Sequence, residues 1–279
     1  MPTLRLPSGL VREICQQPID RGSARPVAPP DPLACISDES SFAVMVVPGI
    51  AESGDQRLLD PLIEAIRGYG TLKPSIVEVI TGPTPWPLEM DLRADAGALR
   101  PAIGEEHRGH RGSRLVFVAF SLGGTALLYA LSTLLENPHD LTVRPLVVTL
   151  ASPLVASDRY ARAFQSWRHS ATDSLSIALE RVTSELGWES AVMPRVRQAL
   201  NSCDVHALIS CGDAMVDHSA AWLGHDRSEE IDVGAGSGFR AHFRFPQSGP
   251  VIRATVTTLL NHLCQSEIRR PSNRQLLPV

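Results

Sequence analysis

The residues best placed to do chemistry lie in the run Val118-Ala119-Phe120-Ser121-Leu122-Gly123-Gly124. A serine hydroxyl attacks a carbonyl only when a base takes its proton and nearby donors hold the negative charge that develops. Ser121 stands between an apolar run, Leu115–Phe120, and a helix pattern over Leu122–Glu136. The chain must therefore make a very tight strand–turn–helix turn, where side chains two before and two after the serine would clash. Ala119 and Gly123 are small at those positions. Such a turn lifts the hydroxyl clear of the sheet and aims the free N–H groups of the helix N-terminus at developing charge. The N–H of Leu122 is the first oxyanion donor expected. Locally, an inert serine in the Gly-rich β–α turn of another doubly wound fold reads the same way.

Placed after an apolar strand and before a helix, this motif resembles the elbow of the α/β-hydrolase superfamily, small-x-Ser-x-Gly-Gly. Ala119 stands where glycine is commonest, which is similar to the pattern of some bacterial lipases. The resemblance extends over residues 42–265 and implies three further roles. In Val46-Val47-Pro48-Gly49-Ile50, the N–H of Ile50 is the implied second oxyanion donor, with Pro48 where the family usually has histidine. A bare strand-ending Pro-Gly turn is the plain alternative.

After a later strand, Asp213 in Cys211-Gly212-Asp213-Ala214-Met215-Val216 matches the family's acid position, Asp-x-x-Val. A carboxylate there fixes the tautomer of the histidine and stabilises imidazolium. Asp217 is a nearby competitor, Asp158 matches a less common acid position, and Asp213 also reads as a turn or helix-cap residue. The base implied by the resemblance is His242, in Gly238-Phe239-Arg240-Ala241-His242, ahead of Pro246 and a closing helix. His218 and His225 precede the last strand and fit worse. Ser121, Asp213 and His242 follow the family's chain order.

These residues need a scaffold, and the sequence supplies one. Phe42–Val47, Ile76–Ile80, Leu115–Phe120, Leu146–Leu150 and Val205–Ile209 are apolar runs of strand length, and Glu230–Val233 is a shorter sixth. Helix patterns lie between them. Leu58, Leu59, Leu62, Ile63 and Ile66 recur at helical spacing, with Pro61 in the first turn and Gly68 at the end. Residues 90–107 are helix-like only in part, because Gly97 and Pro101 interrupt them. A final helix spans roughly residues 250–265. Alternating strands and helices predict an α/β chain with a mostly parallel, doubly wound sheet.

One interval breaks the rhythm. Between Leu150 and Val205 lie about 50 residues of mainly helical pattern, more than one crossover needs. Leu175, Ala178, Leu179, Val182 and Leu186 form one apolar face, and Val196 and Leu200 mark another helix. The expected division is an N-terminal extension over 1–41, a core over 42–151 and 205–268, a helical lid over 152–204, and a tail over 269–279. Within the extension, five prolines over 18–40 read as an extended connection, and residues 10–15 as a weak edge strand.

Composition limits the partners. The chain has 279 residues and a net charge of −4, and Lys73 is its one lysine among 26 basic residues. That balance supplies no field for nucleic acid or anionic lipid. No run reaches the ~20 apolar residues of a membrane span, and Met1–Gln17 lacks the features of a secretory signal. Cys15, Cys35, Cys203, Cys211 and Cys264 show no framework spacing, so free thiols in a reducing cytoplasm are expected.

Other signals are weaker. Cys203, His206, Cys211 and His218 fit no zinc spacing and read as packing. The run His107–Gly112 reads as a solvated turn. Arg240 and Arg244 either recognise an anionic substrate group or face water, and Trp86 and Trp167 either line a pocket or pack. Together with the resemblance, the residues imply a serine hydrolase cleaving a carboxylic ester through an acyl-enzyme, with no metal or organic cofactor. A thioesterase or acyltransferase would use the same triad. A non-catalytic hydrolase-fold protein that binds a ligand or partner would leave the triad unassembled.

Overall fold

The computed structural model describes residues 42–49, 58–68, 76–79, 91–109, 114–136, 144–157, 173–234 and 238–268. Six strands form one sheet: β1 (Phe42–Val47), β2 (Ile76–Val79), β3 (Arg114–Phe120), β4 (Leu146–Leu150), β5 (Asp204–Ser210) and β6 (Ser228–Ile231). Every pairing is parallel, and the order across the sheet is β2-β1-β3-β4-β5-β6. The central strands β1, β3 and β4 read as largely continuous apolar runs because both faces are covered. In β1, Ala43, Met45 and Val47 join one core cluster while Val44 and Val46 join the other.

Helices α1 (Asp60–Gly68), α2 (Leu92–Gly109) and α3 (Leu122–Leu134) follow β1, β2 and β3 respectively. α4 (Asp173–Leu186) and α5 (Val192–Ser202) lie between β4 and β5, and the short α6 (His218–Ala221) lies between β5 and β6. α7 (Phe239–Arg244), a 3₁₀ turn at Phe245–Gln247 and α8 (Gly249–Ile268) close the described chain. Leu62, Ile63 and Ile66 of α1 share one core with Val251, Val256 and Leu259 of α8. On the opposite face, α2, α3, α4 and α5 contribute to the second core.

Two elements differ from the sequence expectation. α2 runs unbroken through Gly97 and Pro101. An interior proline costs a helix about 3 kcal/mol. Here Leu92, Ala96, Leu99 and Ile103 are fully buried on one stripe against α3, while Gly97 and Pro101 are exposed on the other side. Burying each large apolar side chain returns about 1.5–3 kcal/mol, so packing outweighs the local preference.

The second difference concerns the interval expected to form a lid. Val182 and Leu186 of α4, with Val192, Val196 and Leu200 of α5, enter the same core as α3. α4 packs on α5, and α5, which lies against β5, supplies the crossover that parallel β4 and β5 require. Residues 158–172 lie outside the described residues, as do the N-terminal extension 1–41 and the tail 269–279.

The strand order also decides where a site can form. The chain leaves β1 in one direction to make β2, then returns to lay β3 on the other side of β1. Connections therefore diverge at the C-terminal ends of β1 and β3. A parallel sheet opens its ligand crevice at such a point.

Candidate active site

Ser121 sits at that crevice, between the last residue of β3 and the first of α3. Its backbone has φ 54° and ψ −135°, a region that non-glycine residues avoid and that costs about 1–3 kcal/mol. The turn is held on both sides. The Ser121 N–H donates to Leu150 O of β4 (2.9 Å), and Gly124 N–H donates to Ser121 O (3.1 Å). The amide of Leu122, first in α3, has no acceptor within its own helix and is available to an anion.

The glycines around the elbow are explained by close approach. A Cβ on Gly123 would stand 2.1 Å from the carbonyl oxygen of Pro48. The small residue is thus demanded by the end of β1 packed against α3, a partner the local motif does not contain. A Cβ on Gly49 would lie 2.8 Å from Ser121 Cβ and 3.1 Å from Phe120 Cδ1. Pro48 and Gly49 are both buried beside Ser121. Ile50, the implied second donor, lies outside the described residues.

His242 reaches Ser121 from α7. Its Nε2 lies 2.9 Å from Ser121 Oγ, and its Nδ1 lies 2.6 Å from Asp213 Oδ2. With the proton on Nδ1, the imidazole donates to the carboxylate and accepts from the serine hydroxyl. Both side chains are buried, His242 at 1% exposure and Asp213 at 2%. Asp213 is anchored through its other oxygen, Oδ1, which accepts from the amides of Met215 (2.7 Å) and Val216 (3.0 Å). The loop carrying the acid and the helix carrying the base are joined directly, since Gly238 N–H donates to Gly212 O (2.8 Å).

The competing assignments fall elsewhere. Asp217 caps α6, accepting from the amide and hydroxyl of Ser219. Asp158 lies outside the described residues, as do Trp86 and Trp167. His218 stacks on Trp222 with ring centroids 4.9 Å apart, and His225 meets the same indole edge-on at 4.9 Å. Arg240 is exposed and Arg244 half-buried on the helix of His242.

Cys203 packs in the core, where burial pushes its thiol up to about 12. Loss of solvent, with Glu230 close by, pushes Cys211 up to about 11. Neither is a thiolate near neutral pH, so neither is an activated thiol nucleophile. Burial lowers the basicity of His206, which faces Glu229. Among the described residues, no group of three or more His, Cys, Asp or Glu is arranged to hold a metal ion.

Some residues near the site were invisible to sequence reasoning. Ala151 takes a left-handed φ of 45° just after β4, with its amide donating to Leu208 O of β5 (2.8 Å). The following loop ties α3 and α6 to the sheet, through Thr125 Oγ1 to Pro153 O (2.6 Å) and the amides of Leu154 and Val155 to Ala220 O. An alanine at positive φ has no sequence signature. Phe120 lies against His242 with ring centroids 4.9 Å apart. In the sequence it reads only as the last residue of an apolar strand.

No protein-family model matches the chain, and no curated protein is similar to it. Solved structures are. Esterase B of Lactobacillus rhamnosis is 14% identical with a TM-score of 0.51, covering 83% of this chain and 79% of that one. Its inhibited form (C6-C4 SN3) is 15% identical at the same TM-score of 0.51, covering 82% and 79%. A Bacillus licheniformis lipase in mature form is 15% identical with a TM-score of 0.48, covering 81% and 94%. Also among the described residues, no helix is long and apolar enough to cross a membrane. With a parallel sheet wound on both faces and a strained serine at the switch point, the chain has the α/β-hydrolase fold.

Proposed function

We propose that this protein is a serine hydrolase that cleaves a small-molecule carboxylic ester through an acyl-enzyme. The observation that carries the reading is the buried chain of contacts from Ser121 Oγ through His242 to Asp213, at 2.9 and 2.6 Å. A ligand-binding protein has no need of three such side chains in register, two of them taken out of water.

The chemistry follows from the geometry. Ser121 Oγ attacks the carbonyl carbon as its proton passes to His242 Nε2, and the imidazolium donates its Nδ1–H to Asp213. The oxyanion takes the N–H of Leu122 and, by resemblance, that of Ile50. Collapse breaks the bond to the alcohol, which leaves with the proton from Nε2 and an ester at Ser121. Water then attacks the acyl carbon as it gives a proton to the same nitrogen. The bond to Ser121 Oγ breaks as that proton passes to Oγ, releasing the acid and restoring the serine. General-base assistance of this kind contributes about 10²–10⁴-fold.

A fluorophosphonate probe tests the nucleophile. Wild type is expected to label at Ser121 and Ser121→Ala not at all, with turnover of a short acyl ester lost by about 10³-fold or more. An unlabelled wild type, or equal labelling of Ser121→Ala, overturns the reading. A matched panel of ester and thioester acyl chains then separates an esterase from a thioesterase, and added alcohol acceptors reveal acyl transfer.

A further inference from the structure

We infer that Phe120 is a positioning residue for His242, holding the plane of the imidazole; the inference rests on the serine-hydrolase reading above. The two hydrogen bonds of His242 attach at Nδ1 and Nε2, on either side of Cε1. The ring hangs from the rotatable Cβ–Cγ bond, and because hydrogen bonds tolerate some bending, these two contacts alone leave it able to rock about that bond. Tilting the ring about it takes the Nε2 lone pair out of line with Ser121 Oγ, and hydrogen bonds weaken steeply with misalignment. What resists the tilt is a flat surface laid against the face of the ring.

Phe120 provides that surface. Its ring centroid is 4.9 Å from that of His242, at an interplanar angle of 32°. Phe243 packs from a second direction, nearly perpendicular at 84° and 5.5 Å. Phe120 is 1% exposed. Strand alternation turns it to the face opposite Ala119, into the core that also holds Phe245. Its seat is built as well, because Gly49 leaves the space that the Phe120 ring and Ser121 Cβ both border. The aromatic face also suits the reaction, since it attracts the imidazolium formed when His242 takes the serine proton. The residue before the nucleophile thus orients the base that activates it.

The test compares Phe120→Leu, Phe120→Met and Phe120→Tyr with wild type, well below their melting temperatures. Rates are expressed per fluorophosphonate-labelled site, so unfolded protein does not count. The aliphatic variants fill the space without a flat face, and Tyr restores it. We expect kcat to fall about tenfold in Leu and Met, with KM within about twofold, and Tyr to recover most of the loss. The low-field proton resonance of His242 Nδ1–H should broaden in Leu and Met and stay sharp in Tyr.

If kcat in the aliphatic variants stays within about twofold of wild type, Phe120 is core packing alone. Equal losses in Tyr and Leu overturn the inference in the same way, and Met decides it if Leu does not fold. A wild type that takes no label sinks the hydrolase reading and this inference together. A labelled wild type with undisturbed aliphatic variants sinks this inference alone.

Discussion

The two halves of the candidate site are positioned by different means. Ser121 is held by the backbone: one strained residue, amide and carbonyl bonds to its neighbours, and glycines that let β1 and α3 touch. His242 and Asp213 are held by side chains: a carboxylate on two amides, an imidazole on that carboxylate, and aromatic rings around it. A strained backbone turn restricts where Ser121 can lie. Hydrogen bonds and ring packing would let the imidazole change its charge and its bonding partner, in the reaction proposed above, without moving its support. In that reaction the attacking atom is placed by the backbone, and the atom that exchanges protons is placed by side-chain contacts.

Breaking one half should therefore leave a different signature from breaking the other. The largest effect is expected from Asp213→Asn, which lowers kcat by about 10³-fold, or about 4 kcal/mol. Asn presents an N–H to Nδ1 where an acceptor is required. Its remaining oxygen still takes the amides of Met215 and Val216, so thermal melting should stay close to wild type. Asp217→Asn is the matched control, with a weakened cap on α6 and unchanged kcat. Reversed kinetics between the two would move the acid from Asp213 to Asp217.

Gly123→Ala attacks the backbone half and should act on folding. The new methyl meets the Pro48 carbonyl, so β1 and α3 must separate, at a cost of about 3 kcal/mol. Urea unfolding should show the loss, and labelling of Ser121 should fall with it. A variant that keeps wild-type stability would show that the close approach of β1 and α3 is not what holds the elbow.

The smallest effect belongs to a residue outside both halves. Glu185 of α4 is buried and accepts from Leu92 N–H at the start of α2 (2.9 Å). Burial raises the pKa of its carboxyl, opposed by the bond to Leu92. The folded protein therefore binds this proton more tightly than the unfolded chain. The resulting cost is absent below the unfolded carboxylate range, grows as pH rises through the raised value, and is complete above it. Glu185→Gln keeps the acceptor and removes the charge. It should melt with wild type near pH 4 and above it near pH 8, by about 1 kcal/mol or less, with unchanged kcat. Equal melting at both pH values would show that burial of this carboxylate carries no penalty.

Much of the scaffold is legible because parallel strands buried on both faces are predominantly apolar, as Val116–Phe120 is throughout and Leu146–Leu150 is but for the buried Thr149. Boundaries drifted where a neighbour decided them. β6 begins at Ser228, ahead of the Glu230–Val233 expected from the sequence, because Ser228 pairs with Ala207 of β5. α2 persists through Pro101 because its apolar stripe is on the far side from the proline. The length of the β4–β5 interval signalled an insertion, and the interval holds two helices, α4 and α5, whose apolar residues join the core of α3. A helix facing a sheet and one facing a substrate carry the same apolar period.

The sequence by itself determined the elements and the elbow, since an apolar strand running through Ser121 into a helix leaves the backbone one tight turn to take. Tertiary structure decided what meets at that turn. Strand order set β1 beside β3 and so required glycine at positions 49 and 123. The fold brings Asp213, the acid the sequence favoured, to His242 and leaves its competitor Asp217 at the start of α6. The tilted packing of Phe120 on His242 joined residues far apart in the chain. The reason is physical: propensity and periodicity act over a few neighbouring residues, whereas close approach, burial and hydrogen-bond partnership depend on segments that only the folded sheet brings together.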